Sequence, residues 1–274
     1  MKEIFTQWKY TKMVVLTALT AAIYVAVMIP FKIATIIPGF TEIRPGVVVP
    51  VVFGMFFGPA GAWGAAIGNL IGDIFGGMLT IISPYGFVGN FLLGFMGYKL
   101  MEKWGWLKGG EGSYGVIGDD GAFKKVLQFL LIVVLSSSAC SLVISWGMDI
   151  HKVFPFAVFA SIVFFNNILM PAILGVVLIG LLARRLNRWD LVWVDIMDEK
   201  DRSVSRFPKL GGALMWIGAV GGLVLCFIVS VGIYNADFLV TENLVPGQME
   251  GLGGTGVPII GLIALVIILI GAML

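Results

Sequence analysis

The sequence predicts an all-α polytopic membrane protein, a six-helix bundle followed by two additional C-terminal transmembrane helices, eight in total. Three observations predict it. Of the 274 residues, 59% are hydrophobic and only 12% charged, with a mean hydropathy of +1.00. Soluble domains carry roughly 25% charged residues, so this chain has too few polar groups to cover a water-facing surface. The apolar residues also come in runs near the roughly 20-residue length that a helix needs to cross the hydrocarbon core. Finally, the basic residues fall in alternate connecting segments, as they do in inserted helical proteins.

The first span is Met13 to Pro30. It lacks a small-residue cleavage site followed by a polar mature domain, and is read as a retained helix. The region Val47 to Ile82 is too long for one helix. Gly58-Pro59 divides it, because proline removes a backbone donor and disfavours helix in the residue before it. A short second helix, Pro45 to Phe57, and a third, Ala60 to Gly77, follow. Ser83-Pro84 punctuates again, and the fourth helix runs from Tyr85 to about Met101. The glycine-rich, charged segment Trp104 to Phe123 reads as a loop. The fifth helix is Val126 to about Trp146. The sixth, Phe154 to Ala183, contains Pro171 and is expected to kink. A charged linker, Arg184 to Lys209, precedes the seventh helix, Gly211 to Tyr234, and the eighth begins at Val257. These elements suggest three units: a substrate-binding membrane domain over 1–185, a cytoplasmic linker over 186–209 and two extra spans over 210–274.

Of the 18 basic residues, only Lys32, Arg44 and Lys152 fall in segments that this map places outside. The rest cluster around the N-terminus, between helices four and five, and between helices six and seven. The positive-inside rule then puts both termini in the cytoplasm of a prokaryotic cell (inner) membrane. Asp237, Glu242 and Glu250, between helices seven and eight, fall outside.

Helices in lipid associate through close packing rather than hydrophobic burial, so small residues mark contacts. Gly64, Gly68, Gly72 and Gly76 form one stripe on helix three, and Gly54 and Gly58 share a spacing on helix two. Both are read as internal packing. On helix one, Ala18, Ala22 and Ala26 repeat at the same interval in an otherwise bulky helix. That stripe fits either internal packing or docking of another membrane subunit.

Polar groups inside spans are costly and commonly functional. Asn69 and Asp73 share a face of helix three, with Asp73 about 6 Å further outward. Asn90 lies near the outer end of helix four, and Asn166 and Asn167 lie about midway along helix six. Neighbouring helical side chains point about 100° apart, so one of that pair faces inward. Glu42 and Arg44 stand beside Pro45 in the first outer loop. Each could be a simple packing contact or loop salt bridge. Together they suggest a polar, outward-facing cavity; Tyr85, Phe87, Trp146 and Phe154, at the outer ends of helices four, five and six, either supply its apolar side or belong to the interfacial aromatic belt. The substrate-binding candidates are therefore Glu42, Arg44, Asn69, Asp73, Tyr85, Asn90, Trp146 and Asn166.

Several runs carry a family resemblance. They are the repeat Ala18-x3-Ala22-x3-Ala26, the run Ile43-Arg44-Pro45-Gly46, the stretch from Phe56-Phe57-Gly58-Pro59 through Gly68-Asn69-Leu70-Ile71-Gly72-Asp73, and Pro84-Tyr85-Gly86-Phe87-Val88-Gly89-Asn90. Over about residues 10–185 the chain resembles the substrate-binding S components of energy-coupling factor (ECF) transporters. The resemblance implies a six-helix binding unit whose helix-one alanines, here Ala18, Ala22 and Ala26, contact an EcfT-like transmembrane coupling subunit joined to two cytoplasmic ATPases. It implies capture of a small-molecule micronutrient from outside, under the outer loops. It does not cover the last 90 residues. Vitamins, corrinoids and queuosine precursors all suit a cavity of this polarity.

The sequence offers no HExxH, GxSxG or paired-Asp motif and no P-loop. An enzyme is therefore not expected, and any ATP drive must come from partners. No cofactor, metal or nucleic acid is expected, and membrane lipid is the surrounding partner. The remaining rival is a stand-alone secondary transporter or channel, although no internal repeat relates the two halves.

Overall fold

A computed structural model of the chain describes residues 1–33, 35–37, 41–42, 44–104, 122–203, 205–232 and 256–274. For residues 32, 33, 35–37, 41, 42 and 122 it gives the backbone alone. Most of the predicted loop 104–123, and the acidic segment with Asp237, Glu242 and Glu250, lie outside the described residues.

The described chain is almost wholly helical. A short helix α1 (Glu3–Thr6) precedes α2 (Thr11–Met28). A small antiparallel hairpin, β1 (Thr35–Ile37) and β2 (Thr41–Glu42), caps its far end. Then come α3 (Val48–Phe57), α4 (Pro59–Phe75), α5 (Ser83–Lys103), α6 (Ala122–Ile150), α7 (Phe156–Met170), α8 (Val176–Arg188) and α9 (Trp193–Ile196). The chain closes with α10 (Pro208–Trp216), α11 (Gly222–Ser230) and α12 (Gly256–Met273).

The break between α3 and α4 falls where proline chemistry predicts. Gly58 has a φ of 55°, a conformation costly for any residue with a Cβ. Pro59 then starts α4, where its missing N–H is no loss. The predicted kink at Pro171 is a widened helical turn over Pro171–Gly175 that joins α7 to α8 without a bend into a loop. Proline has no N–H to give, so the ladder skips a carbonyl and the turn expands.

Gly54 and Gly58, and the first two glycines of the other stripe, pack internally, whereas a methyl on Gly72 would meet nothing within 4 Å and Gly76 is exposed. A methyl on Gly64 would sit 2.5 Å from Thr20 of α2, and one on Gly68 would sit 2.9 Å from the Tyr24 ring. Gly54 lies directly on the backbone of Gly94, and a methyl on Gly94 would sit 2.8 Å from Ala62 Cα. Helices α3, α4 and α5 thus touch backbone to backbone, the close approach that holds helices together in lipid. By contrast, Ala18, Ala22 and Ala26 are all exposed on the outer face of α2.

Among the described residues, five segments are long and apolar enough to cross a membrane: Thr11–Phe31, Phe123–Ile150, Phe156–Ile196, Pro208–Ser230 and Gly256–Met273. Helices α3, α4 and α5 are shorter or more polar, and every residue of α3 is buried. The C-terminal helices α10 to α12 pack on one another at Gly218, Gly222 and Gly271. They lean on the bundle through Trp104 stacked on Trp216, with 6.5 Å between centroids, and through Trp146 Nε1 donating to the Pro258 carbonyl at 2.9 Å.

The charged linker expected over Arg184 to Lys209 is structured over most of its length. Helix α8 continues to Arg188, and residues 191–203 fold back across the basic end of the bundle, burying Val192, Trp193, Met197 and Asp201. The Trp193 ring fills the space left by the missing side chain of Gly58 and packs on Tyr98 at 5.4 Å. Beneath it lies a charged knot. Lys99, 1% exposed, pairs with Glu3 at 2.7 Å and Glu102 at 2.8 Å and donates to Ser203 Oγ at 2.9 Å. Ser203 donates to Glu3 from its hydroxyl at 2.6 Å and its backbone N–H at 3.2 Å. Tyr10 donates to Asp201 at 2.9 Å, and the Thr6 hydroxyl to the Asp201 carbonyl at 2.7 Å. These charges fasten the flap to α1 and α5.

Candidate functional site

At the opposite end of the bundle, Arg44 follows the hairpin and opens the turn Pro45–Val47. Pro45 fixes φ there, so the turn holds the arginine against the helix ends. The guanidinium Nη2 donates to the Tyr24 hydroxyl at 2.8 Å and to Asn69 Oδ1 at 2.5 Å. The Arg44 backbone N–H donates to Asn166 Oδ1 at 3.3 Å. Tyr24 in turn donates to Asn90 Oδ1 at 2.9 Å, and Asn90 Nδ2 donates to the Gly86 carbonyl at 2.8 Å. Asn69 Nδ2 donates to Asp73 Oδ2 at 3.2 Å.

Five elements therefore meet in one connected network: α2, the turn after the hairpin, α4, α5 and α7. Tyr24, Asn69 and Asn90 are buried, while Arg44, Asp73 and Asn166 are partly open. Gly86 makes the seam possible, since a methyl there would lie 3.1 Å from Asn69 Nδ2. A cationic fork surrounded by amide and hydroxyl acceptors is chemically suited to a planar, polar ligand. The groups that now pair with one another can turn to pair with that ligand instead.

Of the eight sequence candidates, Arg44, Asn69, Asp73, Asn90 and Asn166 belong to this network. Tyr85 and Trp146 stand together beside it, 6.0 Å apart at the ends of α5 and α6. Tyr85 shares a hydrogen bond with His151 Nε2 at 3.1 Å, and Trp146 lies on Gly261 of α12. Glu42 is paired with Thr35 across the hairpin, and its side chain lies outside the described residues. Sequence reasoning missed Tyr24, which it counted among the bulky residues of the first helix. A phenol in an aliphatic span needs a hydrogen-bond partner when buried, and that was the available signal.

These features define a multi-pass helical membrane protein with a polar recognition cluster gathered at one end of its bundle. A family model described as QueT transporter matches residues 14–184, the stretch that holds every residue of the network, and by that match the chain is a transport subunit rather than an enzyme. No curated protein and no solved structure matches. The chain belongs to the QueT transporter family, S components of ECF transporters linked to queuosine precursors. S components of this kind associate with a coupling subunit and ATPases.

Proposed function

We propose that this chain captures a queuosine precursor at the outer face of a prokaryotic cell membrane and delivers it inward with an EcfT-like coupling subunit and two cytoplasmic ATPases. The single observation that carries this reading is the network centred on Arg44, which draws six polar side chains from five elements into one place. Arg44, Asn69, Asp73, Asn90 and Asn166 form the binding centre together with Tyr24. Tyr85 and Trp146 stand at its aromatic edge, and Glu42 approaches from the hairpin. The test is mass spectrometry of ligand retained through purification. A deazaguanine base is expected, and a protein that retains none and binds none rules the reading out.

In this reading the basic end faces the cytoplasm and the Arg44 end faces outward, in keeping with the distribution of lysine and arginine. Helices α3, α4 and α5 cross the membrane inside the bundle, which gives eight spans. Residues 1–185 are the binding domain, and 210–274 are two added spans. The segment between them is a cytoplasmic flap.

The exposure of Ala18, Ala22 and Ala26 supports a docking role for the outer face of α2. A bare stripe lets a partner helix approach closely. Ala22→Trp is expected to abolish co-purification of the coupling subunit and to stop uptake, while ligand affinity of the isolated chain stays unchanged. Normal uptake in that variant would remove the alanines from the interface.

A further inference from the structure

Asn167 follows Asn166 on α7, and its side chain points about 100° away. It is 0% exposed. It sits against the turn of α6 that carries Ser137 and Cys140. Ser137 Oγ donates to the Asn167 backbone carbonyl at 3.1 Å, and the Cys140 thiol lies in hydrogen-bonding reach of the Asn167 side chain and within electrostatic reach of Arg44. That thiol aside, among the described residues neither Nδ2 nor Oδ1 of Asn167 makes a well-formed hydrogen bond, and neither does Ser136 Oγ. The Cys140 thiol is too weak a partner to satisfy an amide.

Such an orphan is costly in a membrane interior, where no bulk water can substitute. An apolar residue of the same size would have packed as well without that cost. A carboxamide presents one donor and one acceptor side by side in a plane. Its complement is a ring edge that carries an adjacent N–H and C=O. The lactam edge of a 7-deazaguanine base is such an edge.

We propose that Asn167 is a specificity-determining residue of this transporter. Its carboxamide makes paired hydrogen bonds to the lactam edge of the bound base, while Arg44 and its partners hold the rest of the molecule. The inference rests on the substrate reading above and extends it to a residue outside the Arg44 network.

The test uses the purified full chain and 7-aminomethyl-7-deazaguanine, with affinity measured by calorimetry and stability by thermal unfolding. Asn167→Leu should leave the unliganded melting temperature unchanged or higher, because it removes an unpaired amide, and should weaken binding at least about tenfold. Asn167→Ala should weaken binding likewise and serves if leucine does not fit. The N1-methylated base, which lacks the donor, should bind wild type and Asn167→Leu alike. Equal affinity for the unmethylated base in wild type and either variant overturns the role of Asn167 and leaves the substrate reading standing. Loss of affinity together with a lowered melting temperature in both variants marks a packing contact and overturns it too. A wild-type chain that does not bind the base overturns both readings.

Discussion

Lys99→Met is expected to destabilise the chain by about 3–5 kcal/mol, the cost of leaving one member of a buried ion pair without its counter-charge. Lys99 and Glu3 are both 1% exposed at the side chain and 2.7 Å apart. Removing the ammonium leaves Glu3 with the Ser203 hydroxyl, a Tyr98 hydroxyl at 3.4 Å and the N-terminal amine at 3.4 Å. Glu3→Gln combined with Lys99→Met should cost less than the sum of the two single changes, because the orphaned charge disappears. Thermal unfolding of the purified variants measures this, and an additive pair would show that the two charges do not interact.

The same knot has a defined acid limit. Burial pushes the Glu3 carboxyl up, but the Lys99 ammonium and the hydrogen bonds from Lys99 and Ser203 outweigh it and hold the group at about 2, below its ordinary 4.5. A carboxyl with a depressed folded-state pKa adds stability that is whole above about 4.5 and is lost as pH falls through about 2. Acid should therefore release the flap between those values. Protease accessibility of residues 191–203 should rise in that interval and not at pH 6.

Arg44→Ala is expected to weaken ligand binding by about ten- to a hundredfold, in line with the loss of charge-assisted hydrogen bonds in a partly buried site. Arg44 is the only member of the network with a guanidinium, and it holds α2, α4 and α7 at once. Without its side chain, the Tyr24 hydroxyl and Asn69 Oδ1 lose their shared donor, while the backbone N–H bond to Asn166 remains. Arg44→Lys keeps the charge but not the planar fork, so it should recover only part of the affinity. Calorimetry on the two variants separates charge from geometry. Wild-type affinity in Arg44→Ala would displace the binding centre from this end of the bundle.

Much of this architecture is legible in single residues. Gly58-Pro59 marks the α3–α4 break, Pro171 marks the widened turn, and the glycine stripe marks the α2–α4 contact. Each is a local backbone requirement that one residue type satisfies. Arg44, Asn69, Asp73, Asn90 and Asn166 stand out because a polar group within an apolar run has few structural excuses. Tyr24 does not stand out, since its ring counts as bulk and only its hydroxyl is polar. The flap was illegible for a different reason. Glu3, Lys99 and Ser203 meet from positions about a hundred residues apart, and no periodicity in sequence announces that pairing. A run rich in Asp, Lys and Arg looks the same whether it is solvated or folded over a Trp193 that the bundle has room to accept.

The backbone contacts among Gly54, Gly61, Ala62 and Gly94 carry a mechanical consequence. With no side chains between them to bend or repack, α3, α4 and α5 can only travel as one slab. Asn69, Asp73 and Asn90 ride on that slab and keep their spacing whatever the rest does. Give is left to the rim, where Arg44 hangs from a hairpin and Asn166 sits on a helix loosened at Pro171. A ligand would thus be gripped by moving fingers against a fixed palm.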